Sequence, residues 1–178
     1  MEFKNVLSTL LKKFREKEIR YGLMGGFALG LWGVGRATVD LDFLVDRSDQ
    51  KKVGKIMAEI GYECKFMSEN VSQYVSPLKT YGEIDFLHAF RQASLEMLGR
   101  AEGKEIFGGE LNIMVVRPED LIGLKLQAVK NNPARKEQDM SDIKALIAVQ
   151  REKIDWQLIK KYANILDAED LLKELNEK

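Results

Sequence analysis

A single cysteine, Cys64, and a single histidine, His88, are all the soft-ligand chemistry in this chain of 178 residues. One cysteine closes no intramolecular disulfide, and its scarcity suits a reducing compartment. The two together cannot assemble a His/Cys zinc centre. Charge of one sign is also lacking. The 28 Lys and Arg residues balance 28 Asp and Glu residues, so no global basic field announces nucleic acid. No apolar run approaches a membrane span, so no membrane partner is expected. Near the start, Phe3, Val6, Leu7, Leu10, Leu11 and Phe14 form a helical stripe interrupted by lysines, unlike a secretory leader. The chain is expected to be cytoplasmic.

What is present describes a globular protein with a real core: 45% of residues are apolar and 31% are charged. The length suits one sizeable domain. No repeat, low-complexity segment or interdomain linker stands out. Apolar periodicity predicts a first amphipathic helix over about residues 2 to 17, a short strand at Tyr21 to Met24 and a helix start at Phe27 to Trp32. A buried strand follows around Leu41 to Val45, then a helix from Asp49 to Ile60 that Gly61 stops. Residues 62 to 77 alternate weakly, as two short strands with Asn70 near their turn. Glu83 to Phe90 forms another apolar strand, and Glu105 to Val116 a hairpin around Gly108-Gly109. From Pro118 onward helices are expected at about 118 to 131, 137 to 150, 155 to 163 and 167 to 176. Pro118 with Glu119 and Asp120 behind it makes a good helix start. Mixed strands and helices followed by helices alone predict an α/β (α+β) fold: a mixed sheet flanked by helices, with an all-helical C-terminal part. The division falls between an α/β core at 1–116 and a helical extension at 117–178, packed as one structural unit.

The chemistry concentrates in two short segments. Asp40-Leu41-Asp42 lies on the apolar strand, where residues two apart leave the same face, so the two carboxylates stand side by side. Adjacent negative charges on an apolar strand repel and resist burial unless a cation joins them. Carboxylate oxygens suit a hard ion such as Mg²⁺ or Mn²⁺, which takes phosphate oxygens as further ligands. Separated from Asp40 by thirteen residues, Gly25-Gly26 joins a strand to a helix start. Glycines at such a join let backbone N–H groups approach phosphate, aided by the helix dipole. A metal-and-phosphate site is expected.

The order Gly25-Gly26, thirteen residues, then Asp40-Leu41-Asp42 resembles the signature of the nucleotidyltransferase fold shared with DNA polymerase beta. In finer detail, Gly25-Gly26-Phe27-Ala28 and Arg36-Ala37-Thr38-Val39-Asp40-Leu41-Asp42-Phe43 are similar to AbiEii-type and related bacterial nucleotidyltransferases, which commonly carry Arg-x-Thr before the aspartates. Many catalytic members have Gly-Ser where this chain has Gly25-Gly26, so a phosphate here must rely on backbone N–H groups, with Arg36 and Thr38 beside them. The resemblance covers the first half of the chain strongly and the helical half more loosely. It implies a third carboxylate from a neighbouring strand. Asp85, flanked by Ile84, Phe86 and Leu87, is the candidate, preferred over Glu83, as metal ligand or general base.

Helical periodicity adds a separate signal. On a wheel of about 100° per residue, Leu121, Ile122, Leu124, Leu126, Ala128 and Val129 share one arc, with Lys125 near its middle. Glu119, Gly123, Gln127 and Lys130 fall opposite. A lysine in an apolar arc must snorkel, lose its charge or find an anion. On the next helix, Asp139 falls within the face made by Met140, Ile143, Leu146 and Ile147, and Asp142 sits at its edge. The two charges are expected to meet each other or the active site. The AbiEii-type resemblance implies that such a helix lysine and a downstream Asp-x-x-Asp segment are functional.

The expected activity is Mg²⁺-dependent transfer of a nucleoside monophosphate from an NTP such as ATP to an acceptor hydroxyl on RNA, protein or a small molecule. The AbiEii-type resemblance adds a toxin-like role with a cognate antitoxin-type partner. The alternative is a catalytically inactive module of the same fold that binds nucleotide or a partner.

Overall fold

The computed structural model describes residues 2–176; the outermost residues of the two expected regions, 1 and 177–178, lie outside the described residues. Contacts divide the chain into two units. The first comprises the chain up to Ala28 together with Arg36–Val116, and the second comprises Leu29–Gly35 together with the chain from Arg117 onward.

The first unit is built on a seven-stranded mixed sheet, ordered β3-β4-β5-β2-β1-β7-β6. Its strands are β1 (Tyr21–Met24), β2 (Leu41–Asp46), β3 (Glu63–Met67), β4 (Val71–Val75), β5 (Glu83–Ala89), β6 (Glu102–Ile106) and β7 (Leu111–Val115). The pairs β2/β5 and β1/β7 are parallel, and the remaining neighbours are antiparallel. Alternation along the central strands sorts their side chains. Phe43 and Phe86 are opposed in register and stack at 5.7 Å. Phe14 of α1 (Phe3–Glu16) meets Phe43 edge-on at 5.8 Å, and all three rings are fully buried. The stripe Val6, Leu7, Leu10, Leu11 and Phe14 is the buried face of α1, as its spacing predicts. Since successive strand residues face opposite ways, Asp42 and Asp85 point to the other side of the sheet from this aromatic core.

Helix α2 (Gly25–Leu31) begins at the glycine pair itself, two residues earlier than the apolar pattern suggests. Helix α3 (Gln50–Glu59) matches its expected place and buries Val53, Ile56 and Met57. One helix escapes sequence reasoning: α4 (Gln92–Arg100) lies against β1, β2 and β5. It is short, has no side-chain cap and buries only Met97 and Leu98, so its local signal is faint. The hairpin of β6 and β7 turns through Phe107, Gly108 and Gly109, all with positive φ.

The second unit carries α5 (Pro118–Asn131), α6 (Lys136–Gln150), α7 (Trp156–Ile165) and α8 (Glu169–Asn176), matching the expected helices. Asp155 caps α7 by accepting from the backbone N–H groups of Gln157 and Leu158. Gln150 donates to the backbone carbonyl of Trp32 at 2.8 Å, tying the end of α6 to the Leu29–Gly35 segment. Helix α5 departs from the wheel. Glu119 and Gly123, expected on its polar side, are buried, so the helix is enclosed on most of its circumference. A Cβ at Gly123 would stand 2.6 Å from the Tyr162 ring, so the glycine permits close approach of α7. The carboxylate of Asp120 accepts from the Tyr162 hydroxyl at 2.5 Å, and Glu119 accepts from the Asp155 backbone N–H at 3.0 Å. No helix among the described residues is long and apolar enough to cross a membrane.

Candidate active site

Four strands contribute side by side to the site. Met24 of β1 is opposed to Asp42 of β2, Asp42 to Asp85 of β5, and Asp85 to Gln73 of β4. Residues opposed in register share a face, so Gln73, Asp85 and Asp42 form one row across the sheet. Asp40 sits one residue before β2 begins, and its backbone carbonyl accepts a hydrogen bond from the Thr38 hydroxyl at 3.3 Å.

The glycine pair is fitted to this row. Gly25 follows Met24 directly and has φ of 68°, a conformation that side chains strain to adopt. A Cβ there would fall 1.9 Å from Asp42 Oδ2. At Gly26 a Cβ would meet Thr38 at 2.9 Å. The first glycine makes room for the Asp42 carboxylate and the second for Thr38. The residues expected to cradle phosphate therefore also shape the carboxylate site. Arg36 is exposed in the loop that leads to Thr38.

Electrostatically the row is costly. Burial pushes the Asp85 carboxyl above the usual carboxylate range, and the charges of Glu83 and Asp40 push it further, while a hydrogen bond from Gln73 opposes them. Burial also raises Asp40, with Glu83 adding to the effect and Lys65 opposing it. The Gln73 amide donates to Asp85 Oδ2 at 2.9 Å; Oδ1 of Asp85 is buried with no hydrogen-bond partner. Lys65 arrives through an irregularity in β3: Cys64 pairs with Tyr74 and Phe66 with Gln73, leaving Lys65 as the extra residue of a bulge. Its ammonium reaches both oxygens of Glu83, at 3.2 and 3.3 Å.

A divalent cation fits this donor set in kind. The side chains are carboxylates, they repel one another, and one buried oxygen lacks a partner, which is the deficit a hard cation satisfies. Among the described residues, however, no group of three or more His, Cys, Asp or Glu side chains is closed around a metal position.

Lys125 and Asp139 meet within the second unit. The Lys125 ammonium donates to Asp139 Oδ1 at 2.7 Å and to Asp142 Oδ2 at 2.6 Å, all three residues being buried. Arg135 bonds the other Asp139 oxygen at 2.9 Å, and Gln138 donates to Asp142 Oδ1 at 3.0 Å. Burial alone would raise the Asp139 carboxyl, but Arg135 and Lys125 outweigh it and hold the group below its ordinary value. Of the two destinations expected for Lys125, its charge is engaged by the α6 carboxylates.

Sequence reasoning passed over Gln73 and Lys65. The signal for Gln73 is a polar residue in phase with Val71 and Val75 on a strand whose opposite phase, Ser72 and Tyr74, is buried. The signal for Lys65 is a bulge, which only the pairing of β3 with β4 reveals.

Residues 2–175 match the model of a family described as Uncharacterised nucleotidyltransferase. The chain belongs to this nucleotidyltransferase family. The chemistry of the chain is accordingly nucleotidyl transfer, and it is an enzyme of that class. Solved structures agree on the fold. The antibiotic-resistance factor ANT(2'')-Ia, determined in solution, superposes with a TM-score of 0.68 at 12% identity, over 98% of this chain and 97% of that one. The lincosamide antibiotic adenylyltransferase LnuA, with lincomycin bound, gives a TM-score of 0.57 at 16% identity, over 82% of this chain and 96% of that one. An antigenic nucleotidyltransferase-like protein from Paracoccidioides brasiliensis gives 0.56 at 19% identity, over 98% and 92%. At these identities the likeness shows the nucleotidyltransferase fold. No curated protein matches the chain by sequence.

Proposed function

We propose that this nucleotidyltransferase moves a nucleoside monophosphate from an NTP, ATP by preference, to the hydroxyl of a small-molecule acceptor in a divalent-metal-dependent reaction. The observation that carries the reading is the opposed pair Asp42 and Asp85, with one buried Asp85 oxygen lacking a protein partner. Asp40, Asp42 and Asp85 are the proposed ligands of Mg²⁺ or Mn²⁺. Such an ion would neutralise triphosphate charge and help align pyrophosphate as it leaves. Asp85, whose carboxyl is raised by burial, is the proposed acceptor of the hydroxyl proton. In the transfer, the acceptor oxygen bonds to the α-phosphorus, the bond from that phosphorus to the bridging oxygen breaks, and pyrophosphate departs. Gly25 and Gly26 would offer backbone N–H groups to the phosphates, with Thr38 and Arg36 alongside.

The acceptor class draws support from neighbours of the same fold: LnuA is an adenylyltransferase of lincosamide antibiotics, and ANT(2'')-Ia has been captured with adenylyl-2''-tobramycin. For Lys125 and Asp139 we propose a structural role, holding α5 to α6, because the ammonium is already shared between two buried carboxylates. The test supplies α-labelled ATP with Mg²⁺ or with EDTA to three acceptor pools: hydroxylated small molecules, RNA and protein. Label should move to a small molecule only with Mg²⁺. Label on RNA or protein would replace the small-molecule acceptor with the toxin-like version of the activity. Nucleotide binding without transfer to any pool would favour the inactive binding module.

A further inference from the structure

The third carboxylate is held by a residue outside the expected set. Asp85 has two oxygens in unlike surroundings: Oδ2 accepts from the Gln73 amide at 2.9 Å, and Oδ1 is buried without a hydrogen-bond partner. A carboxylate with both oxygens unbonded would be free to rotate about its last torsion or to seek protein donors, whereas one anchored oxygen fixes the direction of the other. The anchor is built into the sheet. Gln73 faces Asp85 directly on the antiparallel strand β4, as Asp42 faces it on the parallel strand β2. A hydrogen-bonding amide thus stands on one side of Asp85 and a second carboxylate on the other.

Glutamine also fits chemically where other residues would not. A carboxylate at this position would add a further negative charge to Asp40, Asp42, Glu83 and Asp85. A lysine or arginine would compete with a metal by pairing with the carboxylates. An uncharged donor orients Asp85 while leaving its charge available. The β3 bulge beside Gln73, between Cys64 and Phe66, sends Lys65 to Glu83 rather than to Asp85, so the neighbouring cation does not take over this role.

We infer that Gln73 is a positioning residue that orients Asp85, through a hydrogen bond to Oδ2, so that Oδ1 is presented to a divalent cation. The inference rests on the proposed metal site. Partners of metal ligands commonly govern about 10–100-fold in metal affinity. The test measures Mn²⁺ binding to the full chain by electron paramagnetic resonance, with and without a non-hydrolysable ATP analogue, for the unmodified protein and for Gln73→Leu. Gln73→Leu should bind Mn²⁺ roughly 10–100-fold more weakly, with unchanged circular dichroism and metal-free analogue affinity. A second measurement needs no variant. In the unmodified protein, the side-chain amide signal of Gln73 in ¹⁵N NMR should shift on addition of Mg²⁺. Equal Mn²⁺ affinity in Gln73→Leu, or an unmoved amide signal while Mg²⁺ binds, would overturn the role of Gln73 and leave the metal site standing. No Mn²⁺ binding by the unmodified protein, even with the analogue, would overturn the metal site itself and this inference with it.

Discussion

Asp42 and Asp85 stand directly opposite each other on the parallel strands β2 and β5. Like charges opposed in a sheet destabilise it, by roughly 0.2–1 kcal/mol for an ordinary cross-strand pair. Asp42→Asn should therefore raise the urea midpoint slightly while removing metal-dependent nucleotide binding and transfer. A variant that loses stability and keeps transfer would show the pair to be structural.

The two glycines should behave differently. Gly25→Ala places a side chain at positive φ and onto the Asp42 carboxylate, and should cost about 1–3 kcal/mol, as left-handed non-glycine residues do. It should also abolish Mn²⁺ binding, since Asp42 has to move. Gly26→Ala meets Thr38 at an ordinary φ, and should lose less stability while weakening NTP binding more than nucleoside binding. Chemical denaturation and calorimetric titration of both variants would check this order. An equal loss of NTP and nucleoside affinity in Gly26→Ala would make that glycine purely architectural.

Lys125→Met should destabilise the fold strongly. It leaves Asp139 and Asp142 buried without their shared cation, and breaking a buried pair costs about 3–5 kcal/mol. Asp139→Asn should destabilise less in the Lys125→Met background than alone, with a coupling of roughly 0.5–3 kcal/mol in the double-mutant cycle. Normal stability of Lys125→Met together with lost transfer would instead return Lys125 to a phosphate-binding role.

His88 sets a pH dependence. Its Nδ1 lies 3.1 Å from the Glu69 carbonyl, which only accepts, so Nδ1 carries the proton and Nε2 accepts from the Ser72 hydroxyl at 3.0 Å. Burial lowers the His88 pKa; the Glu69 carbonyl opposes this, and Arg47 adds to the lowering. Since the folded pKa lies below the unfolded value of about 6.5, the unfolded chain takes up a proton first as pH falls. The contribution of His88 is fully present above about pH 6.5 and is lost as pH falls through the folded pKa. Denaturation midpoints across this window should decline with acidity, and His88→Gln should flatten the decline. An identical slope in that variant would show that another group titrates there.

Much of the fold was readable from local pattern. The α1 stripe, the Asp-x-Asp strand, the isolated aspartate of the Ile84-Asp85-Phe86 strand and the four C-terminal helices all appear as periodicities of two or three to four residues. Lys125 also declared itself, since a charge in an apolar arc demands a partner and Asp139 supplies it. Helix α4 did not, because nine residues without a side-chain cap, burying two side chains, are shaped by the sheet beneath them.

By itself the sequence determined which residues carry charge on apolar elements, because spacing along the chain dictates the face each side chain takes. Tertiary structure alone decided who meets whom. It inserted β5 beside β2 rather than next to β1, set Gln73 against Asp85, gave Lys125 a second carboxylate in Asp142, and divided the glycine pair between Asp42 and Thr38. The physical reason is register. Pairing between strands distant in sequence is fixed by burying the rings of Phe14, Phe43 and Phe86 together, and a slip of β2 against β5 by one residue would turn one of the two carboxylates to the opposite face.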